Sequence, residues 1–351
     1  MTTARHSRST MATAVVAAIA LVGSSACGVV SGGSALKDRG ARPVSDAVVA
    51  TIPLSDYGTD IAVSGDGGRI YVPLRTGKVL AIDAASRRVA GTIATNGQPY
   101  AIALTPGGAR AYVTDLTAQY VFALDTVNDQ LLKRIPIGII KRPVMTPAVA
   151  VSCDGARAYV SSATARDDHL LVIDTAMNAI VGDHFLEIHP AGVAVSPDGR
   201  LVYVAGCKLS CINGSLLVLD ATSAGVVSKI PLASAPSGLV LTPDGSRAYV
   251  PNARAATVAV IDLATGAVTA IPVDPEPTGI AVDPLGAFVY VTSFGAASVS
   301  VIDTRTSAVV ATVAVARGPR AIAVSPDCRL AYVTHSSSTC SVIDLRQARG
   351  A

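Results

Sequence analysis

The sequence predicts an all-β fold, a seven-bladed β-propeller of four-stranded antiparallel blades, and three observations carry that expectation. A Tyr-Val pair recurs at the same place in each of seven units, at Tyr71, Tyr112, Tyr159, Tyr203, Tyr249, Tyr290 and Tyr332. Two apolar residues followed by Asp close the third strand-like run of each of seven units, at Asp83, Asp125, Asp174, Asp220, Asp262, Asp303 and Asp344. The seventh unit stops after its third strand, while an orphan strand-like segment, Ala47–Pro53, stands before the first unit. Self-similarity with four strands per unit, at a period of roughly 40–45 residues, is the signature of propeller blades. If the orphan strand completes the seventh blade, the ring closes and leaves no open stack of sheets to pair with another chain.

The sixth unit shows the elements in order. Gly279–Val282 is an apolar run that meets a turn at Asp283-Pro284-Leu285-Gly286. Phe288–Thr292, a loop of small residues, Ser298–Asp303, a short turn and Ala308–Val315 follow. These runs are short, β-branched and bounded by turn residues, which is the strand signal. In the first strand of each unit a larger apolar residue (Ile61, Ile102, Val149, Val193, Leu239, Ile280, Ile322) precedes a small one (Ala62, Ala103, Ala150, Ala194, Val240, Ala281, Ala323). Neighbouring strand residues face opposite ways, so the small column is expected where seven inner strands crowd the axis. The repeated Asp is expected to cap a turn, since seven carboxylates in seven blades cannot converge on one reaction. The repeated Tyr is expected to pack between blades, with its hydroxyl paired or wet.

These motifs resemble the YVTN-repeat family of seven-bladed propellers. The Tyr-Val-Thr triplet stands at residues 112–114, 290–292 and 332–334; Ser-Pro-Asp-Gly spans Ser196–Gly199; and Val-Ile-Asp begins at Val172, Val260, Val301 and Val342. The resemblance runs from Ala47 to the C-terminus. It implies the fold, and a range of roles: cell-surface and surface-layer proteins, nucleic-acid binders and lactone hydrolases. Function therefore has to come from a site.

Composition narrows the choice. The 351 residues are half hydrophobic and 15% charged, which suits one ring better than several domains. Met1–Ala26 has Arg5 and Arg8, an apolar run at Met11–Val22 and small residues up to Ala26, the pattern of a secretory signal. Without Arg5 and Arg8, 26 basic side chains face 25 acidic ones, so no global field favours nucleic acid. Ten Tyr, four Phe and no Trp argue against base stacking and against propellers that dock a quinone on Trp, and no cofactor is expected. Cys27 resembles the lipidated cysteine of bacterial lipoproteins, although Ser24 stands where Leu is usual; ordinary cleavage is the alternative. The expected organisation is a signal peptide at 1–26, an anchor and tether at 27–46 and the propeller at 47–351. The expected location is the outer side of the cell membrane, with secretion as the alternative.

A binding site is sought where repeats differ. Three insertions break the pattern, at Gly138–Pro147, Ser161–His169 and Gly206–Gly214, all on one face over blades two to four. They gather Lys141, Arg142, Arg166, Asp167, Asp168, His169, His189 and Lys208 as binding candidates. Cys207 and Cys211 lie in one loop and are expected to form a disulfide in an exported protein. Cys328 and Cys340 lie too far apart along a hairpin to bridge. At least one of Cys153, Cys328 and Cys340 should then be unpaired, and more than one is expected to be a buried small residue. On a strand, Glu187 and His189 would share a face while His184 points away, which does not assemble a metal site. The leading expectation is a non-catalytic binding or scaffold protein that holds an envelope protein or surface component, with a small ligand at the channel mouth as a further partner. The alternatives are a lactone or ester hydrolase using His189, Glu187 and Arg142, and a nucleic-acid binder.

Overall fold

The computed structural model describes residues 42–117, 119–137, 147–163, 168–208 and 211–349. Seven antiparallel sheets follow one another along the chain, each running from an inner to an outer strand. The inner strands are Ala62–Val63, Pro99–Leu104, Val149–Val151, His189–Val195, Val240–Leu241, Pro277–Val282 and Pro319–Val324. Each touches the next, and Pro319–Val324 returns to Ala62–Val63, so the ring is closed. Closure comes from Val48–Pro53, which pairs antiparallel with Thr339–Asp344 and sets Ile52 opposite Cys340. The orphan N-terminal strand is the fourth strand of blade seven.

The core is divided into layers between blades. Tyr71, Val79 and Ala81 of blade one, for example, pack against Ile102, Val113 and Phe122 of blade two. The larger inner-strand column enters these layers, and so does the small one: Ala62, Ala150, Ala194, Ala281 and Ala323 all pack between blades. This corrects the expected placement of the Ala column at the axis. Both faces of a radial sheet meet a neighbouring blade, so alternation along a strand chooses between two layers. The small residues at the axis stand earlier in the strand, at Ala101, Gly192, Gly238, Gly279 and Ala321. A Cβ on Gly192 would come within 2.8 Å of the Gly238 backbone, and one on Gly279 would strike the Arg320 carbonyl. Close approach of neighbouring strands requires glycine at both places.

The Tyr-Val-Thr triplets acquire a physical role. Inner strands carry irregular register at Pro99/Ile102, Pro277/Ile280 and Pro319/Ile322, which takes N–H groups out of the ladder. The triplet hydroxyls accept them: Ala101 N donates to Thr114 at 3.0 Å, Gly279 N to Thr292 at 2.8 Å and Ala321 N to Thr334 at 3.2 Å. Thr292 also donates to Arg320 O in the next blade at 2.8 Å. Blades one and five carry Pro73 and Pro251 in place of Thr, and there the inner chain supplies the bridging hydroxyl. Thr59 donates to Tyr100 O at 2.7 Å and Ser237 to Pro277 O at 2.9 Å.

The repeated Asp residues cap turns. Asp125 Oδ1 accepts from Val127 N and Asn128 N, and Asp303 Oδ1 from Arg305 N and Thr306 N. Such bonds hold Asp83, Asp125, Asp220 and Asp262 below the usual carboxylate range, hydrogen bonding being the cause. Three of the repeated Tyr hydroxyls reach the next blade's outer turn: Tyr71 donates to Thr126 O at 2.9 Å, Tyr112 lies 2.6 Å from Asn178 Oδ1 and Tyr159 lies 3.5 Å from Ala221 O.

Blade seven cannot offer that turn, because its outer strand comes from the N-terminus. A short helix, Leu345–Arg349, follows Asp344 instead. Leu345 and Ala348 are buried beneath it, and Arg349 donates to Tyr290 Oη at 2.6 Å and to Asp283 Oδ2 at 2.9 Å. Its guanidinium also lies over Phe288 at 4.7 Å. At the other end, Arg42–Val44 adds a parallel fifth strand to blade six, opposite Ala311–Val313. The segment expected to be tether throughout is thus ordered before Ala47, where it covers an outer edge.

Candidate functional site

The sequence pointed to blades two to four. Lys141, Arg142, Arg166 and Asp167 lie outside the described residues, as does Cys27. Ser161–His169 is less of a loop than its length suggested. Strands Arg157–Ala163 and Asp168–Asp174 continue as a hairpin, with Ser162 opposite His169. Pairing across the hairpin satisfies backbone groups that a loop would leave to water. Asp168 and His169, being adjacent strand residues, face opposite ways. His169 Nδ1 lies 2.6 Å from Asp183 Oδ1, with Phe185 edge-on to its ring. Asp168 Oδ1 lies 2.7 Å from His189 Nδ1, each residue 8% exposed. Lys208 is exposed, and Cys207 and Cys211 are joined by a disulfide with Cα atoms 5.0 Å apart.

His184, Glu187 and His189 do not share a strand. The outer strand of blade three ends at Leu186, Glu187 lies in the connection, and His189 opens the inner strand of blade four. Glu187 pairs with Lys229 at 3.5 Å on the surface. Among the described residues no three His, Cys, Asp or Glu side chains gather as a metal site. Cys153, Cys328 and Cys340 are all free, but only Cys340 is buried, where desolvation pushes its thiol up to about 12. The expectation that more than one would be buried is corrected: Cys153 and Cys328 stand in the turns at 152–156 and 325–329, outside the inter-blade layers.

A different site lies at the axis. A recess of about 450 Å³ is lined by inner strands and their entry residues from all seven blades. It includes Ala235, Pro236 and Ala253, so it opens on the face bearing the insertions. Aligning the inner strands shows what is unusual. Asp60 stands where the other blades have Ala101, Ala148, Gly192, Gly238, Gly279 and Ala321. Arg320 stands where they have Thr59, Tyr100, Pro147, Ala191, Ser237 and Thr278. One column of small residues carries a single carboxylate, and the neighbouring uncharged column a single guanidinium. Blades seven and one, which supply them, are neighbours across the closure.

Asp60 Oδ2 accepts from Ile102 N at 2.9 Å. Burial raises its pKa from 3.8 to about 6, against the opposing effect of backbone hydrogen bonds from Ile102 and Ile61. Arg320 is held by rings: its guanidinium lies 5.3 Å from the Tyr57 ring centre and 5.7 Å from that of Phe294, and Nε donates to Ser336 Oγ at 3.1 Å. Arg75 shares the Tyr57 ring at 5.7 Å and donates to its hydroxyl at 2.5 Å. Neither arginine forms a salt bridge with a carboxylate among the described residues. A further recess lies at the turns around Thr242–Arg247 and Leu285–Gly286, where Arg247 donates to Thr304 O at 2.7 Å and Arg305 lies 3.9 Å from Asp303. There Arg305 already has a carboxylate beside it, which neither Arg320 nor Arg75 has among the described residues.

No family model matches the sequence, and no curated protein matches it closely enough to count. Solved structures carry the fold comparison. A chain of Kuenenia stuttgartiensis hydrazine synthase is similar with a TM-score of 0.74 and 26% identity, over 85% of this chain and 98% of that one. The β-propeller domain of Myceliophteria thermophila Cps50 (Swd1) is similar with a TM-score of 0.69 and 11% identity, over 85% and 98%. At that identity the second likeness shows the fold alone. The class these observations define is a seven-bladed β-propeller.

Proposed function

We propose that this chain is an exported, lipid-anchored propeller of the YVTN-repeat type that binds a component of the cell envelope at its axial mouth without transforming it. The observation that carries the binding role is the axial recess, where an otherwise uncharged ring has one carboxylate and one ring-stacked guanidinium. Sites of this kind combine a preformed concavity with a few polar groups that orient the occupant. Export and anchoring rest on the Met1–Ala26 pattern and on Cys27. Native mass spectrometry of protein isolated from its own envelope tests the binding role. A bound species carried by the wild type and lost in Arg320→Gln supports it; identical spectra count against it. Cys27→Ala should move the protein from the membrane fraction to the soluble one.

A second reading is a propeller hydrolase acting on a lactone or similar small ester, and the His189–Asp168 pair is what favours it. A carboxylate on Nδ1 fixes the tautomer that leaves Nε2 able to accept a proton. Turnover on a lactone panel that disappears in His189→Gln would establish this reading, and inertness with and without added divalent metals would remove it.

A further inference from the structure

The two charges at the axial mouth each lack a counter-ion among the described residues, and their surroundings say what each would accept. Resting on the binding role proposed above, we infer that the recess takes a small zwitterion of amino-acid type, with its carboxylate on Arg320 and its ammonium on Asp60.

The anionic end follows from how Arg320 is held. Tyr57 and Phe294 flank the guanidinium and Ser336 takes Nε. The two rings and the hydroxyl restrict where the group can go, while the terminal N–H donors keep the fork geometry that matches a carboxylate. A surface arginine pays rotamer entropy to form such a pair; this one is largely ordered beforehand. Arg75, bonded to the same Tyr57, helps to fix that ring.

The cationic end follows from Asp60. Its carboxylate faces a recess lined with backbone and small side chains, and one oxygen is occupied by the Ile102 N–H. Burial penalises its charge, and among the described residues the only other titratable side chains lining the recess are Tyr100 and Arg320. Arg320 is turned to the Tyr57 and Phe294 rings. A ligand ammonium supplies the cation that the protein does not. One molecule with both charges satisfies both groups for a single loss of translational freedom, where two separate ions would lose it twice. A recess of about 450 Å³ is of the size that takes small molecules.

The test is calorimetric titration of the purified full-length protein at pH 7.5 with L-alanine, γ-aminobutyrate and glycine betaine. Propionate and propylamine serve as half-ligands. At least one zwitterion is expected to bind saturably, with each half-ligand weaker by ~10-fold or more, the equivalent of about 1.4 kcal/mol. Asp60→Asn should weaken the zwitterion by at least ~10-fold and leave propionate unchanged, whereas Arg320→Gln should weaken both. Zwitterion binding should also weaken as pH falls below about 6, where Asp60 takes up a proton. Thermal unfolding of each variant verifies folding, and Arg320→Lys should recover part of the loss. Propionate binding as tightly as the zwitterions, an unaffected Asp60→Asn, or no saturable binding by any probe overturns the inference. If the probes fail while Arg320→Gln still strips the species carried from the envelope, the binding role stands and only the ligand class falls. If Arg320→Gln strips nothing, both fall.

Discussion

On the side of the ring where the chain closes, blades six, seven and one break the repeat with side chains. Across the ring, blades two to four break it with extra chain. On the far side, much of the added length extends hairpins, and the described polar residues find one another: His169 with Asp183, His189 with Asp168, Glu187 with Lys229. On the closure side, Arg320 and Arg75 are ordered by rings, and Asp60 is recessed without a cation. Extra length marks where a repeat can tolerate insertion. A charged side chain in a column of Ala and Gly carries a desolvation cost that ordinary packing does not offset, and such a cost marks a site more sharply than a long loop.

The largest expected effect tests the closure itself. Arg349→Ala leaves Asp283, which is fully buried, without its salt-bridge partner, and removes the donor to Tyr290. Breaking a buried pair from one side costs about 3–5 kcal/mol, read as a fall in the urea midpoint. The matching far-side change, Asp168→Asn, keeps a side chain able to hydrogen-bond His189 and should cost clearly less. Thr292→Val comes next. It strands the Gly279 N–H and leaves the Arg320 carbonyl only its longer bond from Thr278, at a cost of ~2 kcal/mol. Ser161→Ala, which removes one 3.1 Å bond from Ala148 N, should cost about half as much.

Two pH dependences sharpen the same contrast. Asp60 has a folded pKa of about 6, above its ordinary 3.8, so the folded state binds its proton more tightly. Its contribution is fully present below pH 4 and is lost as pH rises to 6. Ligand-free Asp60→Asn should therefore be more stable than wild type at pH 7.5 by about 1 kcal/mol, after allowing for its access to the recess, and equal to it near pH 4. His335, also on the closure side, behaves oppositely. Burial lowers its pKa from 6.5 to about 4, so stability falls as pH drops through that range. His335→Gln should flatten that limb, and the two variants together separate the opposing slopes in chemical denaturation. The smallest effect belongs to the far-side surface: charge reversal at the exposed Lys208 should change stability by less than about 0.5 kcal/mol.

Much of the architecture was legible in the sequence, because seven Tyr-Val pairs and seven terminal Asp residues register the blades against one another. The role of Ala47–Pro53 was legible too, since a ring that lacks one strand at its end has only one place for an orphan at its start. The helix Leu345–Arg349 was not. Five residues carry too little periodicity to announce a helix, and only the missing turn of blade seven explains why Tyr290 and Asp283 need Arg349. Arg42–Val44 escaped notice because three residues pairing in parallel leave no alternation to read. Asp60 and Arg320 were within reach of the sequence. Their signal lies in the aligned inner-strand columns, where each is the sole charge, and a search guided by loop length passes over it. Which faces Asp168 and His169 present was not legible while Ser161–His169 read as a loop, since alternation has meaning only once the hairpin is known to continue.

The proposed binding runs through the axial mouth and not through the insertions over blades two to four. The most direct measurement compares capture from envelope extract by wild type, by Arg320→Gln, and by a triple charge reversal at Lys141, Arg142 and Lys208. Loss of the captured species in Arg320→Gln with retention in the triple variant is the result predicted here. Loss in the triple variant with full retention in Arg320→Gln would contradict it and return the site to the far side of the ring.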